Sequence, residues 1–361
     1  MDAKPHRFSY GRLAFYIITI IAIVFVYLKF SELRLLGQFF RESNWNVLLG
    51  IVGIQLIGYF AQALNYQAVL RIKNLRVGVW ELFPTSFVVQ FISQAIPTGG
   101  VSGQVFFIYY LKKYGLTLTE GIGRAILEVL TLYMTYAVYF AISALLLFRN
   151  QGFRSEPKLV FFVYAFMVFL AICAVVIILS QKRTRDSRLH MIFDRIIGYL
   201  KRSGILNLPG VRTLTSHSDH FVMVQDEFKA TLGLHKLKQH GWLLLLACLW
   251  QGVLLMTSVI TLYVIAISLG HPIPFAACFI AFTFSKFLSM ISIIPGAPGV
   301  FEGAMTLILI SFGVDKSVAL AATLLTRAFT FWLAMPIGWL LYGHYMKKFA
   351  AAGANDKPAV S

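Results

Sequence analysis

A short helix-breaking phrase occurs twice in this chain, each time inside a long apolar stretch. The copies are Ile96-Pro97-Thr98-Gly99-Gly100-Val101-Ser102-Gly103 and Ile294-Pro295-Gly296-Ala297-Pro298-Gly299-Val300-Phe301-Glu302-Gly303. Backbone N–H and C=O groups freed by such breaks find no partner in lipid. The breaks are tolerated only where they are buried in protein or line a wet cavity. Two of them, in matching positions of two halves, point to a transporter built from repeats with its site at the breaks.

The remainder of the chain agrees with a membrane setting. Of 361 residues, 58% are hydrophobic and 13% are charged, whereas soluble domains carry about 25% charge. The first apolar run, 13–30, lacks a small-residue cleavage site and reads as a span rather than a removable signal. Cys173, Cys248 and Cys278 lie in apolar runs without ligand or redox spacing and read as small buried residues. The net charge of +17 follows membrane topology, so anionic lipid headgroups are the expected partner and nucleic acid is not.

The expected fold is an all-α polytopic membrane protein with six continuous spans, at 13–30, 45–69, 118–148, 158–180, 241–269 and 317–345. Two further blocks, 80–111 and 273–312, are broken by glycine near the middle. Each is a helical hairpin, either re-entrant or a pair of short spans. The organisation that follows is a cytoplasmic N-terminus (1–12), a first membrane half (13–180), a basic loop (181–240), a second membrane half (241–345) and a tail (346–361). With both termini placed in the cytoplasm, inside segments hold 22 of the 32 Lys and Arg residues and outside segments hold 7, which sets the orientation. The first broken hairpin then enters from the cytoplasm and the second from outside, the mark of an inverted-topology repeat. Its punctuation stays in register: 198 residues separate Pro97 from Pro295 and Gly115 from Gly313, and 199 separate Glu128 from Arg327. In the loop, Leu189, Ile192, Phe193, Ile196, Ile197 and Leu200 share one helical face among bases. The segment reads as a helix lying on the inner leaflet or packed beneath the bundle.

Charged residues at membrane depth are functional candidates. Arg327 stands ten residues into the last span, about 15 Å deep. Its donors suit a phosphate, or it pairs with an internal acid to fix packing. Glu128 lies at similar depth. It either pairs with Arg124 one turn earlier or joins a cavity network with Arg327. Glu302 begins the helix after the second break, where it caps free N–H groups, contacts substrate or couples protons. Lys286, about 18 Å into its block, reaches the same cavity, pairs with Glu302 or snorkels. Gly99, Gly100 and Gly103, with Gly296, Gly299 and Gly303, permit close approach and precede helix N-termini suited to anions; the alternative is close helix packing. Gln94, Gln104, Gln251 and Asn65 line the cavity or bridge helices. His217-Ser218-Asp219-His220 lacks further ligands at zinc spacing, so neither a metal nor a cofactor is expected.

Pro295-Gly296-x-x-Gly299-x-x-Glu302-Gly303, followed by Gly313-Val314 and Arg327, resembles the membrane domain of the lysylphosphatidylglycerol synthase family. That family includes the flippase half of the multiple peptide resistance factor and stand-alone proteins. The resemblance covers about residues 10–345. Gln104-Val105-Phe106 stands where members often carry an acid or arginine. The resemblance implies movement of a phospholipid or polyprenyl-linked lipid between leaflets of the cell inner membrane. It does not imply synthesis, because aminoacyl transfer in the fused relatives belongs to a soluble C-terminal domain that is not expected here. The remaining readings are an organiser or subunit of an envelope-synthesis complex and an intramembrane lipid-modifying transferase. The second needs a nucleophile or metal constellation that the sequence does not display.

Overall fold

A computed structural model of the chain describes residues 45–72, 74–96, 101–149, 234–291 and 296–355. They all fall in one compact unit, within 44–186 and 216–361. Among the described residues the structure is helical, without strands. The expected spans 13–30 and 158–180, the amphipathic segment 189–200, Cys173, the His217–His220 cluster and Pro97, Gly99, Gly100 and Pro295 lie outside them.

Among the described residues, helix α1 (Trp45–Arg71) and helix α5 (Leu234–Ser268) pack along each other more extensively than any other pair. Neither has a lone apolar stripe. Both are apolar all round, as helices between protein and lipid should be. Small residues and polar bridges hold the seam. A Cβ at Gly58 of α1 would stand 2.5 Å from Thr257 Oγ1 of α5. Gln55 Nε2 donates to Thr261 Oγ1 at 2.7 Å, and Asn65 Nδ2 to the Ala247 carbonyl at 2.8 Å. Helix α5 begins seven residues before the predicted span, inside what the sequence gives as loop 181–240.

Each broken block is a pair of packed helices. The first is α2 (Val79–Ala95) and α3 (Val101–Leu111). Its outer ends meet: Tyr114 Oη donates to Glu81 Oε2 at 2.6 Å, and Lys113 Nζ lies 3.5 Å from the same oxygen. Helix α4 (Leu118–Arg149) follows. The second pair is α6 (Phe275–Ile291) and α7 (Val300–Ser311), followed by α8 (Lys316–Arg327). At 1.5 Å per residue the arms of both hairpins are about 16–26 Å long, short of a hydrocarbon core about 30 Å thick.

The two blocks end alike. Gly115 (φ 76°) and Gly313 (φ 83°) turn the chain left-handed, a conformation glycine adopts without steric cost. Two residues later comes an N-cap. Thr117 Oγ1 accepts from Glu120 N at 3.3 Å while Glu120 Oε2 accepts from Thr117 N at 2.9 Å, and Asp315 Oδ1 accepts from Ser317 N at 2.8 Å.

The last predicted span, 317–345, is not one regular α-helix. Helix α8 stops at Arg327, a π turn spans Ala328–Trp332, and α9 (Ala334–Asn355) completes the rod. The cause lies four residues beyond the turn's end: Pro336 offers no N–H and its ring would strike the carbonyl one turn back, at Trp332. A widened turn there is absorbed at little cost, because Pro336 falls in the first turn of α9, where its N–H is not required.

Helices α1, α4 and α5, and the composite rod Lys316–Lys347, are long and apolar enough to cross a membrane. Their outward faces carry exposed Leu49, Leu145, Leu245, Trp339 and Leu340. Large apolar side chains in such number on a monomer's surface mark contact with lipid.

Candidate functional site

Both hairpins end at one cavity of about 370 Å³. Its wall takes residues from α1 to α6, the 296–299 break, the start of α7, the last residue of α8 and the π turn. Pockets for small ligands typically run about 300–1,000 Å³ and contain a few convergent polar groups. Here those groups include Glu128, Lys286 and Arg327, with Gln94 and Gln104 beside them.

Arg327 is held by a carboxylate, a backbone carbonyl and two aromatic rings. Its Nε lies 2.9 Å from Glu302 Oε1, and its Nη2 donates to the Gly296 carbonyl. The guanidinium carbon stands 4.3 Å from the ring centre of Phe331 and 4.7 Å from that of Phe301, a cation–π contact on two rings. The other carboxylate oxygen of Glu302, Oε2, accepts from Gly299 N at 2.7 Å. One glutamate therefore caps α7 and holds Arg327. The capping expected of Glu302 is present, and the ion pair it makes is with Arg327 and not with Lys286.

The break is shaped for this strut. Gly296 (φ 63°) and Ala297 (φ 47°) are both left-handed. A Cβ on Gly296 would lie 2.6 Å from the Phe331 ring. Ala297 adopts the same region with a side chain, a strain of about 1–2 kcal/mol. Gly299 (φ 83°) is the N-cap of α7. Gly303 has open space where its Cβ would be. Gly103 is tightly enclosed: a Cβ there would stand 1.9 Å from Ser93 Oγ and 2.6 Å from the Val89 carbonyl of α2. Close packing accounts for Gly103 and a left-handed turn for Gly296 and Gly299. Neither accounts for Gly303.

Glu128 is buried on α4 and belongs to a second polar node. Its Oε2 accepts from Gln104 Nε2 at 2.6 Å, and its Oε1 from Gln62 Nε2 at 3.1 Å. Arg124, one turn earlier, donates through Nη1 to the Glu120 carbonyl at 2.8 Å and does not line the cavity. Arg327 takes Glu302 as its carboxylate partner, while Glu128 shares the cavity wall with it. Lys286, on α6, also faces the cavity, with no hydrogen bond or ion pair among the described residues.

The two nodes correspond. Gln104 and Glu302 are 198 residues apart and each sits in the first turn of a hairpin's second arm. Each reaches an ionisable residue on the following long helix, Glu128 or Arg327. The partnership is amide to carboxylate in one half and carboxylate to guanidinium in the other.

The family model of the lysylphosphatidylglycerol synthase TM region matches residues 13–338. The chain belongs to this family. It is a membrane protein of the lysylphosphatidylglycerol synthase TM family, and its candidate site falls within the matched region. It is also similar to a curated relative, the UPF0104 membrane protein PH1989 of Pyrococcus horikoshii, at 22% identity over 338 residues, covering 89% of this chain and 93% of the relative.

Sequence reasoning about this family member missed Gln62 and Tyr136, both buried in the cavity wall. A signal existed. Gln55, Tyr59, Gln62 and Tyr66 recur at steps of four, three and four along an otherwise apolar helix, so their polar atoms share a face. Cys248 and Cys278 are half-buried and buried free thiols. Among the described residues no group of three His, Cys, Asp or Glu side chains is placed to hold a metal.

Proposed function

We propose that the protein moves a phospholipid or polyprenyl-linked lipid between the leaflets of the cell inner membrane, with both termini cytoplasmic. The headgroup occupies the cavity and the acyl tails stay in the bilayer. The observation that carries this reading is the cavity itself: a polar space of headgroup size where both broken hairpins meet, among helices long and apolar enough to span. Polar groups at membrane depth mark substrate pathways.

The matched nodes, the matched left-handed glycines with their N-caps and the central α1–α5 seam support two inverted repeats of three continuous spans and one re-entrant hairpin each. Hairpin arms shorter than the hydrocarbon core favour re-entrance over paired spans. Exchange of the two halves then supplies alternating access around a fixed site. The family resemblance implies that aminoacyl transfer belongs to a separate soluble domain of the fused members, so this membrane region is read as a translocase and not a transferase. Purified protein supplied with lysyl-tRNA and phosphatidylglycerol is expected to yield no lysylated lipid; product formation would make the chain a transferase.

The test is leaflet exchange of fluorescent lipids in proteoliposomes. Ser258 lines the cavity on α5, and Ser258→Trp fills much of it. Wild type is expected to equilibrate the leaflets, and the variant to do so at least about tenfold more slowly at an unchanged Tm. A natively folded Ser258→Trp protein that exchanges at the wild-type rate would remove the cavity from the path. Wild type that moves neither phospholipids nor polyprenyl phosphates would favour an organiser that recruits envelope-synthesis enzymes through loop 181–240.

A further inference from the structure

We infer that the cavity recognises a phosphodiester headgroup bearing N–H or O–H donors, with Lys286 as its phosphate-binding residue and Arg327 as a structural strut. The inference rests on the translocase reading and deepens it by naming the chemical class of the headgroup.

Arg327 is the obvious phosphate ligand by sequence, yet it is engaged by Glu302, the Gly296 carbonyl and two aromatic rings. Lys286 faces the same cavity with no partner among the described residues. An ammonium removed from bulk water without a counter-ion is costly, and lysine binds phosphate as a point charge. A packing role would call for a partner.

One part of the wall has the opposite character. Gln62 Oε1, Gln104 Oε1 and Gln251 Oε1 are buried carbonyl oxygens with no hydrogen-bond partner among the described residues, and the buried Tyr136 hydroxyl has none either. All four residues line the cavity. The amide orientation is fixed for two of them, because Gln62 and Gln104 turn their Nε2 groups toward the Glu128 carboxylate, which accepts only. Their carbonyls are left to face elsewhere. Three carbonyls beside the Glu128 carboxyl make a patch of the wall that asks for donors. Water satisfies such a wall at rest: at about 30 Å³ each, the cavity has room for about a dozen molecules. A headgroup that replaces this water without loss must bring donors of its own. An ammonium does so, and so do glycerol or sugar hydroxyls. A trimethylammonium does not, although its charge and phosphodiester are the same.

The experiment measures binding and movement separately. Short-chain phosphatidylethanolamine, phosphatidylglycerol and phosphatidylcholine are titrated onto detergent-solubilised full-length protein and followed by native mass spectrometry. Their fluorescent long-chain forms are followed between leaflets in proteoliposomes. Wild type, Lys286→Gln and Gln251→Leu are compared. The first two lipids are expected to bind about tenfold tighter than phosphatidylcholine. Lys286→Gln should weaken all three about equally, by about tenfold, because the phosphate is common to them. Gln251→Leu should narrow the gap between phosphatidylethanolamine and phosphatidylcholine. Lys286→Gln should leave Tm unchanged or raise it; a lowered Tm with intact binding would make Lys286 structural and overturn the assignment. Equal binding of the three lipids, indifferent to Lys286→Gln, would overturn it as well. If the binding order holds but nothing crosses, the assignment stands and the translocase reading fails. If all three cross equally in wild type and Lys286→Gln, the translocase stands and the assignment fails. Preference for phosphatidylethanolamine over phosphatidylglycerol identifies the ammonium as the donor; the reverse identifies the hydroxyls.

Discussion

Arg327→Ala is expected to destabilise the protein by about 3–5 kcal/mol, the usual result of removing one member of a buried charge pair. The side chains of Arg327 and Glu302 are 8% and 15% exposed, so the abandoned carboxylate has little access to water. The Gly296 carbonyl loses its donor in the same step, and the slot between Phe301 and Phe331 empties. The change therefore leaves an uncompensated charge, an unpaired carbonyl and a void in one place. Urea or SDS titration of purified protein in detergent, read by the helical circular dichroism signal, checks it. Arg327→Met with Glu302→Leu should recover most of the loss, since a neutral apolar pair replaces a buried ion pair at small cost. About 1 kcal/mol stays lost, because Glu302 also caps α7 at Gly299 N. A single variant within about 1 kcal/mol of wild type would mean that Arg327 and Glu302 do not form the strut, and would return Arg327 to the role of substrate ligand.

Two glycines that look equivalent in the sequence should respond oppositely to alanine. At Gly103 the new Cβ would stand 2.6 Å from the Val89 carbonyl, a backbone atom, and 1.9 Å from Ser93 Oγ. The serine can rotate away, but the carbonyl cannot move without α2. Gly103→Ala must therefore part the arms of the first hairpin, with a loss of about 1–3 kcal/mol, as for overpacking elsewhere. Its effect should extend to exchange, because Gln104 is the next residue and its bond to Glu128 is 2.6 Å long. Ser93→Ala combined with Gly103→Ala should recover only part. At Gly303 a Cβ meets nothing within 4 Å, and the position lies inside α7. Gly303→Ala should stabilise by about 0.5–1 kcal/mol through helix propensity alone. The two variants compared by Tm give opposite signs. Equal responses would mean that the hairpin arms are less closely packed than the Gly103 geometry requires.

Membrane class, the boundaries of α1 and α4, the break after Ala95 and the hairpin ends at Gly115 and Gly313 were all legible in the sequence. Each depends on local rules: twenty or more apolar residues for a span, proline and glycine for a break, a left-handed glycine for a helix end. Such rules involve neighbours a few residues apart, so a linear string contains them. The π turn at Ala328–Trp332 was present in the string only as Pro336, whose ring is accommodated by widening the helix before it instead of ending it.

The partnerships at the cavity were a different matter. The sequence placed Arg327, Glu128, Glu302 and Lys286 at membrane depth, and depth alone told that each needed a partner or water. It did not say which. Glu128 had Arg124 one turn away, and Lys286 had Glu302 within reach of its block, yet Glu128 takes amides from α1 and α3 and Glu302 takes Arg327 from α8. Pairing inside a bundle is set by which helix faces meet, and that depends on crossings between segments that in some cases lie more than a hundred residues apart. The left-handed turn at Gly296 and the rings of Phe301 and Phe331 close around Arg327, while Lys286 faces the cavity without a partner among the described residues. The order of residues determined which charges lie in apolar blocks; only the packing of α1 through α8 decided which of them are paired and which face the cavity without a partner among the described residues.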